Sequence, residues 1–383
     1  MDLTQIVVIH IAGNISNNMG GPPRVISGIV NSLKNNDFLI NYLICVKENK
    51  AGENLNLPEI NKKYIFFLNN KIFSFNEIWI TIKHVLNRHN KSKVIIHCHG
   101  LWYPLANLAC FIAQIKGIPY IISTHGMLSK NALKKKFFKK YLALLAYQKK
   151  NLLKASAIHA TSLIEKNDIS LIIPNTRISI IPNGFDGFKG NEIRHPNLNF
   201  STSLRTFLFI GRIHPIKGID LLIEAWAKAK PKQSNLLISG YIADKNYFDM
   251  ITEKINSLNL NNDIKFIGES NEGQIKYLLQ ESTFFILPSL SENFGVVVLE
   301  SLWYGLPVIT TKQTPWEQLN LNKSGWCIDR TLDSFIDIIR RCDSITTDEI
   351  MNMSDNAKIF ARAFDWKIIS KNFVKMYRKI LNQ

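Results

Sequence analysis

The chain has 383 residues, 46% of them hydrophobic and 20% charged. That balance excludes a disordered chain, and the length exceeds one ordinary core, so two domains of just under about 200 residues each are expected. The formal charge of +17 is concentrated, because residues 78–164 hold fourteen Lys or Arg and no Asp or Glu; such a field draws phosphorylated substrates, anionic lipid or nucleic acid.

From the amino end, Ile6-Val-Val-Ile-His-Ile11 reads as a strand. Gly20-Gly21 forms a turn, and Pro22 and Pro23 suit the first turn of a helix running to about Leu33. Short β-branched runs recur at 39–46, 64–68, 93–98, 120–124, 157–161 and 178–181, mostly separated by amphipathic helical patterns. Continuous apolar strands alternating with helices imply a parallel sheet covered on both faces. From 183 to 203 the periodicity lapses into Gly, Asn, Pro and Ser, which predicts a linker over 186–204. A second alternation starts at 206–210 and continues at 235–239, 263–267, 284–287, 307–310 and 326–328. The chain is therefore expected to hold a first α/β domain over 1–185 and a second over 205–365. A helical pattern over 366–383 can pack back on the first. Ligands of such sheets bind beyond the carboxyl ends of the strands, so a groove between two facing halves is the expected site.

Residues 2–5 are not a basic leader, and 6–11 is too short for a signal core. The longest apolar stretch, 105–122, is interrupted by Gln114, Lys116, Gly117 and Pro119 and falls short of the ~20 residues a span needs. A cytoplasmic chain, soluble or peripheral on the inner face of the membrane, is expected. The five cysteines are odd in number, scattered and without a CxxC pair, which implies reduced thiols rather than disulfides or zinc ligands.

Four constellations can carry chemistry. In Pro288-Ser-Leu-Ser-Glu-Asn-Phe-Gly-Val-Val-Val-Leu-Glu300, a strand leads through a glycine-containing loop into a helix. Free amides around Asn293, Phe294 and Gly295 can bind hydroxyls or phosphate oxygens, and Glu292 and Glu300 can accept from sugar hydroxyls. In Phe209-Ile-Gly-Arg-Ile-His-Pro-Ile-Lys-Gly218, Gly211 frees the backbone, and Arg212 and Lys217 can hold phosphate. They could otherwise be solvated cations. The loop Met19-Gly20-Gly21-Pro22 lets a phosphate or an acceptor approach the backbone. His97 and His99 end one strand and Thr124-His125-Gly126 ends the next, so the imidazoles are expected at one rim. His125 reads as a hydrogen-bonding residue facing ligand, while His99 is as readily structural. No nearby carboxylate completes a metal set with them.

With these residues in place the sequence resembles glycosyltransferase family four, the retaining group of GT-B fold. The resemblance rests on the Glu-x7-Glu element, the Gly-Arg…Lys-Gly loop, the Gly-Gly loop, Thr124-His-Gly-Met-Leu128 and Ile181-Pro-Asn-Gly184, and it runs along essentially the whole chain. His-Gly-Met-Leu is similar to transferases that build bacterial O-antigen and other surface polysaccharides. The resemblance implies two Rossmann-like domains facing each other across a central cleft, and transfer of a sugar from a UDP- or GDP-linked donor to a saccharide, in particular a lipid-linked one. It implies that Arg212 and Lys217 hold the diphosphate, Glu300 the ribose and Glu292 with the following amides the transferred sugar. His125 would contact that sugar near O6, and Gly21 would approach the phosphate. On the acceptor side stand Gly20 and His99. No Asp-x-Asp occurs in the chain, so neither metal nor other cofactor is expected, and two cations would take the metal's place.

The stretch from Ser129 to Lys154 has nine lysines, no acid and interleaved Phe137, Phe138, Tyr141, Leu142, Leu144 and Leu145. It reads as a basic amphipathic helix for an anionic membrane surface, or as a domain helix with solvated lysines. The runner-up is a nucleotide-sugar epimerase of the same fold. A phosphorylase would be far longer, and an NAD enzyme would show GxGxxG after the first strand. A basic nucleic-acid-binding protein would show aromatic stacking motifs that are missing here, so no nucleic acid is expected as partner.

Overall fold

A computed structural model describes residues 5–15, 21–34, 36–47, 57–69, 75–174, 176–188 and 204–382. Contacts divide the chain into Met1–Gly184 with Trp366–Gln383 as one unit and Phe185–Asp365 as the other.

The first unit carries β1 (Ile6–Asn14), β2 (Leu39–Lys47), β3 (Ile65–Asn69), β4 (Val94–His99), β5 (Tyr120–Ser123), β6 (Ala157–Ala160) and β7 (Ile178–Ile180). They form one sheet in the order β3-β2-β1-β4-β5-β6-β7, every neighbouring pair parallel. Strands β4, β5 and β6 are buried along their whole length, which is why they read as unbroken apolar runs rather than alternating ones. Helices α1 (Gly21–Leu33), α2 (Phe75–Leu86) and α3 (Pro104–Lys116) connect the early strands. Proline starts α3 and Gly117, at φ 60°, ends it.

The basic stretch differs from the single helix expected. It is broken into α4 (Lys130–Lys134), α5 (Phe137–Ala143), a π-helical turn (Leu144–Gln148) and α6 (Lys149–Lys154). Lys136 between α4 and α5 is left-handed, at φ 56°. Lys134, Lys135 and Lys136 precede Lys139 and Lys140, and one continuous helix would set these like charges three and four residues apart on one face. Helix α7 (Leu163–Ile172) follows β6.

The second unit carries β8 (Arg205–Ile210), β9 (Ser234–Ser239), β10 (Ile264–Gly268), β11 (Phe284–Leu287), β12 (Val308–Thr311) and β13 (Gly325–Ile328), with α8 (Ile219–Ala229), α9 (Lys245–Ser257), α10 (Glu272–Glu281), α11 (Val296–Trp303), α12 (Gln318–Leu321), α13 (Leu332–Ser344) and α14 (Thr347–Arg362). Its sheet, β10-β9-β8-β11-β12-β13, is again parallel throughout. In both sheets the first strand lies between the second and the fourth, so the order reverses there. That crevice is where parallel sheets receive ligands.

Phe185, the last residue of the expected first domain, and Phe188, in the expected linker, are buried in the second unit against Trp303 and Tyr304; the linker's 189–203 lie outside the described residues. The last helix, α15 (Trp366–Leu381), belongs to the first unit and buries Trp366, Phe373, Met376 and Tyr377. Trp366 covers Gly28 of α1 and Gly184, where a Cβ would meet its ring at 2.5 Å. Among the described residues no helix is long and apolar enough to cross a membrane.

Candidate active site

At the switch point of the second sheet, two loops leave the carboxyl ends of β8 and β11. The β8 loop turns through a single 3-10 turn, Pro215–Lys217, whose start is capped by the His214 ring accepting from Ile216 N at 3.1 Å. Gly218 ends it at φ 70° and lies so close to the other loop that a Cβ would stand 2.4 Å from the Pro288 oxygen. Leu290 N donates to Ile216 O at 2.8 Å, and Arg330 Nε donates to Pro288 O at 3.0 Å. The two loops are thus stitched together before any ligand arrives.

Lys217 Nζ sits 2.5 Å from Glu292 Oε1, with both side chains mostly buried. Buried Ser289 donates to the same carboxylate oxygen at 2.6 Å, and its own carbonyl accepts from Thr311 Oγ1 at 2.7 Å. Gly295, at φ 73°, opens α11 and leaves the amides at that start free of helical partners. Phe294 packs edge-on against Trp316, whose indole N–H donates to the Phe294 carbonyl at 2.5 Å, and this fixes the direction of the turn. Asn293 is half-buried beside it, and Glu300 is buried within α11. Arg212 is exposed at the loop's start. Gly211 packs against Gly240, where a Cβ would collide with the Gly211 oxygen at 1.8 Å. Gly211, Lys217, Glu292 and Gly295 are therefore gathered at the carboxyl ends of β8 and β11, while Arg212 is placed at the start of the first loop and Glu300 within α11.

In the first unit, Gly21 is exposed at the start of α1. Gly20 lies outside the described residues. His125 stands half-buried in the loop after β5, left-handed at φ 47°, with Gly126 following at φ 73°. Glu165, buried on the first turn of α7, holds that loop. Its Oε1 accepts from Thr124 Oγ1 and Gly126 N, each at 2.5 Å, and its Oε2 accepts from Thr161 N at 2.7 Å. Burial pulls the His125 imidazole down to about 4, against the nearby Glu165 carboxylate, which raises it. The common rim expected of His97, His99 and His125 is corrected: His97 and His99 are buried within the sheet, because their strand is covered on both faces. His99 meets the loop after β5 at His125, whose Nε2 lies 3.4 Å from its Nδ1.

Comparison with known proteins agrees with this architecture. The family model "Glycosyl transferases group 1" matches residues 191–363, and "Glycosyltransferase Family 4" matches residues 19–187. The chain is a glycosyltransferase carrying both of these family domains. Over 299 residues the transferase is 23% identical to the GDP-mannose:cellobiosyl-diphosphopolyprenol alpha-mannosyltransferase of Xanthomonas oryzae, covering 76% of this chain and 75% of that protein. It is 26% identical over 282 residues to the UDP-Gal:alpha-D-GlcNAc-diphosphoundecaprenol alpha-1,3-galactosyltransferase of Escherichia coli, covering 69% of each. Anabaena HepE, solved with UDP and glucose, superimposes with a TM-score of 0.71 at 18% identity over 98% of this chain and all of that one. These models and relatives are transferases, which leaves the epimerase reading without support.

Three residues that shape these candidate-site loops were not singled out from sequence. Glu165 acts through Thr124 and Gly126, 41 and 39 residues away, and Ser289, though only three residues before Glu292, is a buried serine with no sequence signature. Arg330 had one available signal, a cation two residues beyond a strand's carboxyl end.

Proposed function

We propose that this glycosyltransferase moves a sugar, with retention and without a metal ion, from a nucleotide-sugar donor to a lipid-linked saccharide. The reading is carried by one observation, the Lys217–Glu292 pair that joins the β8 and β11 loops at the switch point. Arg212 and Lys217 hold the diphosphate with the amides of 293–295. Glu300 takes the ribose hydroxyls, and Glu292 takes hydroxyls of the transferred sugar. Gly21 lets the phosphate approach, and His125 contacts the sugar. The relatives' names, with GDP-mannose or UDP-galactose as donor and a diphospholipid-linked sugar as acceptor, support this class of substrates.

As the anomeric carbon–oxygen bond breaks, positive charge gathers on the sugar and negative charge on the departing diphosphate. Two fixed cations and a helix amino terminus stabilise that charge. The acceptor hydroxyl attacks from the face the diphosphate leaves, and its proton passes to the departing phosphate oxygen. No protein nucleophile is required, in contrast to paired-carboxylate glycosidases. Lys217 begins as the partner of Glu292, so the donor recruits a cation that is already placed.

The basic segment supports peripheral binding to the cytoplasmic face of the membrane. Phe138 is 80% exposed, Leu142 65% and Leu145 64% among its lysines, a combination suited to an anionic lipid surface.

A thermal-shift panel of UDP-glucose, UDP-galactose and GDP-mannose tests the donor reading, because a bound ligand raises the melting point by mass action. One of them is expected to stabilise the wild type and to lose that effect in Arg212→Ala/Lys217→Ala. Equal stabilisation of the double variant would remove these cations from the donor site.

A further inference from the structure

The sheet of the first unit encloses five imidazoles, His10, His97, His99, His125 and His159, of which all but His125 are buried. Their hydrogen bonds run in two chains. In the first, Asn41 Oδ1 meets His10 Nε2 at 3.3 Å, His10 Nδ1 meets His99 Nε2 at 3.0 Å, and His99 Nδ1 meets His125 Nε2 at 3.4 Å. An amide oxygen only accepts, so His10 carries its hydrogen on Nε2 and has a lone pair on Nδ1. His99 must then donate from Nε2, and its bare Nδ1 must receive the hydrogen of His125 Nε2. His125 is left with a lone pair on Nδ1, which makes no hydrogen bond to a described residue. The second chain is ordered by a backbone oxygen. His159 Nε2 donates to Ile181 O at 2.7 Å, Ser123 Oγ donates to His159 Nδ1 at 2.7 Å, His97 Nε2 donates to Ser123 Oγ at 2.7 Å, and Tyr377 Oη donates to His97 Nδ1 at 2.8 Å. His97 lies 4.2 Å from His99, ring centre to ring centre, and supports it from one side.

Burial keeps these rings neutral. It lowers His10 to about 4 and holds His97 and His99 well below the ordinary imidazole range. Ring nitrogens of His10, His97 and His99 also lie within 4.8 Å of one another, as a metal site would require. All six nitrogens of these rings already have hydrogen-bond partners, so an ion would have to displace the network.

We propose that Asn41, His10 and His99 are positioning residues that hold His125 with its hydrogen on Nε2 and a lone pair on Nδ1, so that His125 receives a hydrogen bond from a sugar hydroxyl. The role of that hydroxyl rests on the transferase reading above; the tautomer does not. A carboxylate at the same place on the sugar would set lone pair against lone pair, so the arrangement selects a neutral sugar over a uronic acid.

Two-bond proton–nitrogen correlation spectra of the full chain, labelled with 15N-histidine, read the tautomer without any donor. The wild type is expected to show His125 protonated on Nε2 and bare on Nδ1. His99→Phe is expected to lose that single tautomer. His99→Gln, whose amide can accept from His125 and donate to His10, is expected to restore it. Protonation on Nδ1 in the wild type overturns the proposal, and so does an unchanged tautomer in folded His99→Phe. Should His99→Phe not fold, the wild-type spectrum decides alone. Failure here would leave the donor cations untouched, whereas loss of donor binding as the basis of the site would leave the spectrum as it is.

Discussion

Lys217 reaches its place because His214 caps a three-residue turn and Gly218 adopts the left-handed backbone that ends it. The glycine-bounded cations and the two glutamates were legible in the sequence because strand, glycine and charge are neighbours in the chain. The Lys217–Glu292 contact spans 75 residues, and no local pattern announces it. The same holds for Glu165, whose bond to Gly126 spans 39. Gly21 offers a separation of ligand effects from folding effects. Nothing lies within 4 Å of a Cβ built there, so Gly21→Ala should change stability by less than about 0.5 kcal/mol. If a phosphate approaches that backbone, the same methyl should weaken donor binding by about tenfold, measured by calorimetry. Unchanged affinity would take Gly21 out of the donor site.

At the scale of elements, the strands were readable because buried parallel strands show unbroken β-branched runs, and their ends fell within one residue of those expected, except that β1 runs three residues past Ile11 to Asn14. The basic segment was not, because hydrophobic periodicity does not report a left-handed lysine or a π-turn. Nor could the sequence show that His10, His97 and His99 come together, since this depends on β1 lying beside β4. That enclosure has a pH signature. His10 is faced by Asn41, His97 and His99, and its folded-state value of about 4 lies below the unfolded 6.5. The unfolded chain therefore binds the proton first. Stability is complete above about pH 6.5 and falls as pH drops toward 4. Between pH 6.5 and 5, His10 alone should remove about 2 kcal/mol, with His97, His99 and His159 acting in the same direction. Urea unfolding midpoints across that range, at constant ionic strength, should decrease. A flat profile would mean that these rings are not enclosed as neutral groups.

Over the whole molecule, one strand order recurs in both sheets; the two successive alternations in the sequence implied two similar parallel halves, but not that order. The excess charge is less evenly repeated, since it is concentrated between residues 78 and 164. Flotation with vesicles should show binding to anionic phosphatidylglycerol membranes that is lost at high salt. Equal binding to neutral phosphatidylcholine would contradict an electrostatic membrane role. The most direct test of the transfer chemistry is a crystal structure of the protein soaked with UDP or GDP. The diphosphate should lie against Lys217 Nζ, the Arg212 guanidinium and the amides of 293–295. A diphosphate bound away from these groups, or held only through a divalent cation, would contradict it.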